Sequence, residues 1–304
     1  MLPREYAREA LKRGLQYEKA LGANPFKFGM VGSTDTHTSL ATTEENNFFG
    51  KATPAEPTAD PGRFEEKITG YLQKPGGPDV TIRSMSTLAA GLAAVWATDN
   101  TREALWDAMA RKEVYATTGT RMTVRVFAGW DFEEADVQRP NFAEIGYLHG
   151  VPMGGDLSKA PQGKAPGFVI RALRDVDGAN LDRVQIVKGW MDGKGILREQ
   201  VFDVMCSYGR EITDKHRCAK PVGNTVDIKT ATYTNSIGDA LMMAYWKDPA
   251  FDPGQRAFYY VRVLEIPTPR WTTYDAAFFN IALPEGIEPT HQERAYTSPI
   301  WYTP

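Results

Sequence analysis

Apolar residues recur at helical spacing near the start of the chain. Tyr6, Ala10, Leu11, Leu15, Tyr17 and Leu21 stand among Arg, Lys and Glu. The spacing predicts an amphipathic helix over 4–21, with Pro3 at an early position that tolerates it and Gly22 and Asn24-Pro25 as its stop. A short apolar run follows (Phe26, Phe28, Met30, Val31) and predicts a buried strand over 26–32. Helix, loop, strand and polar turn form one α/β unit, and such units carry ligands at the carboxyl ends of their strands. Between 52 and 86 the pattern lapses. Pro54, Pro57, Pro61, Pro75 and Gly76-Gly77-Pro78 mark a long excursion, with one helix expected near 63–72. Residues 86–96 are small and apolar and suit close packing. A second helix is predicted over 102–112, with Asn100 or Thr101 as N-cap and Glu103 in its first turn. Residues 114–118 read as a strand that ends at Gly119.

Beyond residue 120 the period changes. Short β-type runs fall at 121–128, 167–173, 183–189, 198–205, 225–232, 241–246 and 257–265. The turn dipeptides Asp177-Gly178, Asp192-Gly193 and Pro253-Gly254 lie between them. This spacing predicts an antiparallel β-sandwich. The expected organisation is therefore an α/β portion over 1–120 and an all-β domain over 121–304.

Length agrees with two domains, since 304 residues exceed the size at which a single core stops growing. A net charge of -3 gives no electrostatic case for nucleic acid or an anionic membrane. No segment has the apolar length of a membrane span. The charged start, Met1 to Ala10, lacks the apolar run of a signal peptide. Cys206 and Cys218 bracket a loop-like segment. A disulfide there implies an oxidising compartment; two reduced thiols, or a metal site with His216, are the other readings.

The candidate chemistry centres on Phe28-Gly-Met-Val-Gly-Ser-Thr-Asp-Thr-His-Thr38. Asp35 and His37 are two apart at a strand end, so both side chains can face one ion. A carboxylate oxygen and an imidazole nitrogen suit zinc, manganese or iron. The alternative is an Asp that caps the turn with His37 bonded to it. Ser33, Thr34, Thr36 and Thr38 orient such ligands or serve the turn itself. On the following loop, Glu44, Glu45 and Asn46 face either cleft or solvent, and Glu45 is the candidate base or substrate contact. Lys51 and Arg121 are candidate anion contacts, Arg121 as a bidentate fork at a strand end. Residues 174–182 lack the spacing and terminal Glu of a calcium loop. P-loop, dinucleotide-binding and Gly-x-Ser-x-Gly motifs do not occur.

Several stretches together resemble the DUF3604 family. They are Gly32-Ser-Thr-Asp-Thr-His-Thr38, Glu44-Glu-Asn-Asn-Phe-Phe-Gly-Lys51, Val95-Trp-Ala97, Tyr115-Ala-Thr-Thr-Gly119, Gly150-Val-Pro-Met-Gly-Gly-Asp-Leu157, Phe258-Tyr-Tyr-Val-Arg-Val-Leu264 and Ser298-Pro-Ile-Trp301. That family in turn resembles the polymerase-and-histidinol-phosphatase (PHP) class of metallohydrolases. The resemblance is to the carboxyl-terminal half of such proteins. It implies that residues 1–120 form the terminal portion of a PHP-like (β/α) barrel, with Asp35 and His37 as ligands of a cluster of divalent metal ions. The implied activity is hydrolysis of a small-molecule phosphoester or related ester. The His-x-His motif and further ligands of that class are absent, for only His37, His149, His216 and His291 occur. An upstream amino-terminal half or a partner chain would then complete the site. A non-catalytic binding or structural subunit with a vestigial site is the alternative, and exposed strand edges would favour a homo-oligomer. The resemblance also implies a periplasmic or secreted parent protein.

Overall fold

A computed structural model describes residues 6–52, 56–67 and 82–304. Its helices are α1 (Ala7–Leu21), α2 (Gly62–Glu65), α3 (Arg102–Ala110), α4 (Phe142–His149) and α5 (Trp271–Phe279). Its strands in the first half are β1 (Leu92–Val95), β2 (Val114–Thr117), β3 (Thr123–Gly129), β4 (Gly150–Pro152), β5 (Asp156–Leu157) and β6 (Gly167–Leu173). In the second half they are β7 (Leu181–Met191), β8 (Leu197–Cys206), β9 (Leu241–Lys247), β10 (Ala257–Glu265), β11 (Thr268–Pro269), β12 (Thr290–His291), β13 (Arg294–Thr297) and β14 (Ile300–Tyr302).

The chain is mostly sheet. β10 is the spine of an eight-stranded sheet, pairing β7 along one edge and β13 and β14 along the other. β8 extends the β7 side, and β2 and β1 extend the β13 side. All these pairs are antiparallel; the β14–β5 pair is parallel. A second sheet runs β4-β3-β6-β9, antiparallel throughout. The two face each other across one core. Val124, Val126, Phe168, Ile170 and Met242 come from the smaller sheet, and Val184, Ile186, Tyr259, Val261 and Val263 from the larger. Among the described residues no closed barrel occurs.

The spine strand is buried on both faces, which explains its unbroken apolar run. Tyr259, Val261 and Val263 point into the core between the sheets. Phe258 and Tyr260 point the other way, where Leu11 and Leu15 of α1 cover them together with Trp301. Leu11 and Leu15 are i and i+4, one face of the predicted helix. Gly22 ends that helix with φ 75, as a left-handed cap. The Thr101 hydroxyl caps α3 by accepting from the Ala104 N–H. On the outer face of the smaller sheet, α4 lays Phe142 and Ile145 against Phe127.

Two predicted strands do not form. Residues 26–32 join no ladder. The Met30 N–H donates to Ser298 Oγ and the Gly32 N–H to the Leu92 carbonyl, so their partners are a side chain and a single strand end. Residues 225–232 form a turn closed by a bridge between Asp227 and Thr232, because Asp227 Oδ1 accepts from the Lys229 N–H and favours a turn over a ladder. The helix expected near 63–72 is described only as α2; residues 68–72 lie outside the described residues. Cys206 and Cys218 form a disulfide. Among the described residues no helix is long and apolar enough to cross a membrane.

That disulfide closes a loop with a sequence separation of 12. Loop-closure entropy at this length is worth about 3 kcal/mol. The Cys206→Ala/Cys218→Ala variant is expected to lose that much in urea denaturation, and reductant is expected to do the same to the wild type only.

Candidate functional site

The turn after residue 32 is positioned by close backbone approach. A Cβ on Gly32 would stand 2.5 Å from the Leu92 carbonyl oxygen and 2.7 Å from that of Thr117. Only a glycine lets the segment pass this close to β1 and β2. Gly32→Ala is expected to cost about 1–3 kcal/mol by overpacking, read from the thermal midpoint, and to displace the turn that follows.

Asp35 and His37 come together on that turn. His37 Nε2 lies 3.5 Å from Asp35 Oδ1. Asp35 takes a left-handed backbone, φ 45. Both side chains are exposed, at 57% for His37 and 72% for Asp35, so solvent and ligand reach them freely. Lys51 pairs with the Asp35 carboxylate and donates to its backbone carbonyl. The Lys51 ammonium, and after it the His37 imidazole, hold the Asp35 carboxyl below its usual range. Asp35 lines a cavity of 330 Å³ with Ser33, Thr34, Thr36 and Lys51, and His37 stands beside it outside that lining. Its carboxylate and imidazole fit a divalent metal in type, and they supply two donors. In this turn Lys51 fills the place of a cation beside Asp35.

Glu45 and Arg121 lie elsewhere, at the end of the larger sheet where β2 and β10 finish and β13 begins. They line a second cavity, of 170 Å³. Gly119 (φ 150) allows the loop carrying Glu45 to close on this end, since a Cβ there would sit 2.3 Å from the Thr43 carbonyl oxygen. Glu45 is buried. Its Oε1 accepts from the Ala89 N–H at 2.5 Å and its Oε2 from the Trp271 N–H at 2.7 Å. Burial pushes its carboxyl up despite those two bonds. The Arg121 side chain is exposed at the rim, and the Arg121 backbone N–H donates to Asp175 Oδ2 at 2.6 Å. Ala89, which bonds Glu45, also lines the Asp35 cavity, so one residue separates the two hollows.

The sequence pattern did not single out three further residues here. β12 pairs with β11 and holds His291, whose Nε2 lies 3.1 Å from Glu293 Oε1. Glu293 also accepts from the Thr118 hydroxyl. Ligand atoms of Glu45, His291 and Glu293 all lie within 4.8 Å of one another. Glu265, at the end of β10, accepts from Thr120 Oγ1 at 2.6 Å. Burial raises its carboxyl to about 8, with Glu293 and Asp175 adding to the shift against the Thr120 bond. Burial lowers the neighbouring His291 imidazole, but the Glu293 and Glu45 carboxylates outweigh it and the net direction is up. One signal was available in the sequence: His291 and Glu293 repeat the two-residue spacing of Asp35 and His37.

A third group with metal-ligand chemistry, Asp203 with Cys206 and Cys218, has its sulfurs joined in the disulfide and offers no thiolate. His216 packs its ring on Phe202 at 4.9 Å.

A mostly antiparallel β protein with two polar hollows at one sheet end defines the class. The chain belongs to the family described as "Protein of unknown function (DUF3604)", which it matches over residues 1–304. No curated protein and no solved structure matches it.

Proposed function

We propose that this chain is the carboxyl-terminal part of a PHP-like metal-dependent hydrolase of phosphoesters or related esters. The observation that carries the reading is the exposed Asp35–His37 pair, whose Asp35 lines one cavity together with Lys51. Asp35 and His37 would hold a divalent ion, zinc, manganese or iron, with further donors from an amino-terminal half or partner chain. When bound, such an ion acidifies a water and neutralises an oxyanion. Lys51 is close enough to pair with an anionic substrate group once metal relieves it of Asp35. Residues 1–120 would belong to the metallohydrolase domain and 121–304 to a β-sandwich domain. Exposed Trp106 and Met109 on α3, at 71% and 46%, support a covering partner or a second copy. The disulfide supports a periplasmic or secreted location.

The alternative is a non-catalytic binding or structural subunit. The Lys51–Asp35 pair favours it, because an ammonium already balances the carboxylate. Elemental mass spectrometry with phosphomonoester and phosphodiester assays separates the two readings. Hydrolysis that needs metal and disappears in Asp35→Ala/His37→Ala supports the enzyme. Equal metal content and equal turnover in that variant would overturn it.

A further inference from the structure

We propose that Glu45, His291 and Glu293 form a site for one divalent transition-metal ion, of which zinc fits best. This site is separate from Asp35 and His37 and does not depend on the hydrolase reading.

Three observations carry it. The first is convergence. The three ligand atoms lie within 4.8 Å of one another, and His291 Nε2 stands 3.1 Å from Glu293 Oε1. Ligands about 2.0–2.2 Å from a common zinc are separated by roughly 3–4 Å, so small side-chain rotations complete the shell. The second is a shielded nitrogen. His291 Nε2 is closed off from solvent and faces the Glu293 carboxylate at 3.1 Å, in an ion pair that does not meet full hydrogen-bond geometry. As a neutral imidazole the ring has a lone pair at that position to give to a metal ion. The third is charge. Glu45, Glu265 and Glu293 are all buried at this end of the sheet. The nearby Arg270 guanidinium is already engaged by the Met85 and Thr87 carbonyls. A cation among these side chains offsets the cost of burying three carboxyl groups in a low-dielectric site.

The donor set selects the ion. Imidazole with two carboxylates suits zinc and manganese, whereas calcium prefers six to eight oxygens. Glu45 keeps a free lone pair on each oxygen although both accept backbone N–H groups. The cluster lines the 170 Å³ cavity, so a further coordination position opens towards Thr120 and Arg121. Arg121 at the rim would then meet an anion bound at that position.

The test uses the full chain stripped with EDTA and titrated with Zn²⁺ by calorimetry, with bound zinc counted by elemental mass spectrometry. Asp35→Ala/His37→Ala should retain one ion per chain. His291→Gln and the isosteric Glu293→Gln should each weaken that ion by at least about 100-fold, because residues that merely orient a ligand already cost about 10–100-fold. Both variants should also lose the zinc-dependent rise in melting temperature while keeping the wild-type circular dichroism. Zinc that leaves with Asp35 and His37 alone, or wild-type affinity in both His291→Gln and Glu293→Gln, would overturn the site. A wild type that binds no zinc would overturn it equally. Loss confined to the His291 and Glu293 variants leaves the hydrolase reading to its own assay.

Discussion

Replacing Asp248 with alanine is expected to destabilise the chain by about 3–5 kcal/mol, the cost of stranding a buried charge. Asp248 is 3% exposed and follows β9 in the smaller sheet. Its Oδ2 lies 2.6 Å from Lys188 Nζ on β7 and accepts from Tyr259 Oη on β10 at 2.7 Å. One carboxylate therefore ties β7 and β10 of the larger sheet to the smaller. Burial, followed by the charge of Asp248, raises the Tyr259 phenol well above its ordinary value, so it stays a neutral donor. Without Asp248, the Lys188 ammonium keeps the Ala250 carbonyl, at 2.9 Å, and the Trp190 and Tyr259 ring faces, but no counter-charge among its contacts with the described residues. The comparison that isolates the mechanism is Lys188→Met/Asp248→Leu. Removing both charges and refilling the volume should cost far less than removing one. Urea midpoints at constant m-value measure both. A loss under about 1 kcal/mol in Asp248→Ala would mean that water reaches Lys188 and that the pair does not join the sheets.

The elements legible in the sequence were those whose partners did not matter to their pattern. β6 and β10 form over the predicted limits, 167–173 and 257–265, because a strand covered on both faces is apolar at nearly every position. α1 was legible because Leu11 and Leu15 mark one helical face whatever they pack on. The failures share a cause. Residues 26–32 have a strand's composition, but their N–H groups find Ser298 and Leu92, and no local signal reports a distant partner. In 225–232 the β-favouring threonines were outweighed by one Asp227 side chain that bonds its own backbone. The site divides in the same way. The Asp35–His37 pair was readable because two-residue spacing puts both groups on one short turn. Glu45 and Arg121 were readable one at a time. Their convergence on His291, Glu293 and Glu265 depends on β2, β10 and β13 ending side by side, which is a property of the sheet order and not of any segment.

Glu45 joins that distant convergence to the stability of the whole sheet end. Glu45→Ala is expected to cost about 2–6 kcal/mol, since it leaves two buried N–H groups unmet at about 1–3 kcal/mol each. Those groups belong to Ala89 and to Trp271, the first residue of α5. Trp271 is 1% exposed and packs with Phe48 and Phe64, at ring separations of 5.4 Å and 5.6 Å. Loss of the carboxylate therefore frees the small core under the cavity as well as the loop. Glu45→Gln separates shape from chemistry. It fills the same space, yet its amide nitrogen must face one of the two N–H donors, so one bond survives and the other becomes a clash of donors. The glutamine variant should lose about half as much as the alanine variant in EDTA-treated protein, followed by urea denaturation and by hydrogen exchange at the Ala89 and Trp271 amides. Equal stability in all three proteins, with both amides still protected, would mean that Glu45 does not hold this end of the sheet. Protection lost at both amides together in Glu45→Ala, and at one of them in Glu45→Gln, would identify the carboxylate as the pin between the loop, the 86–96 segment and α5.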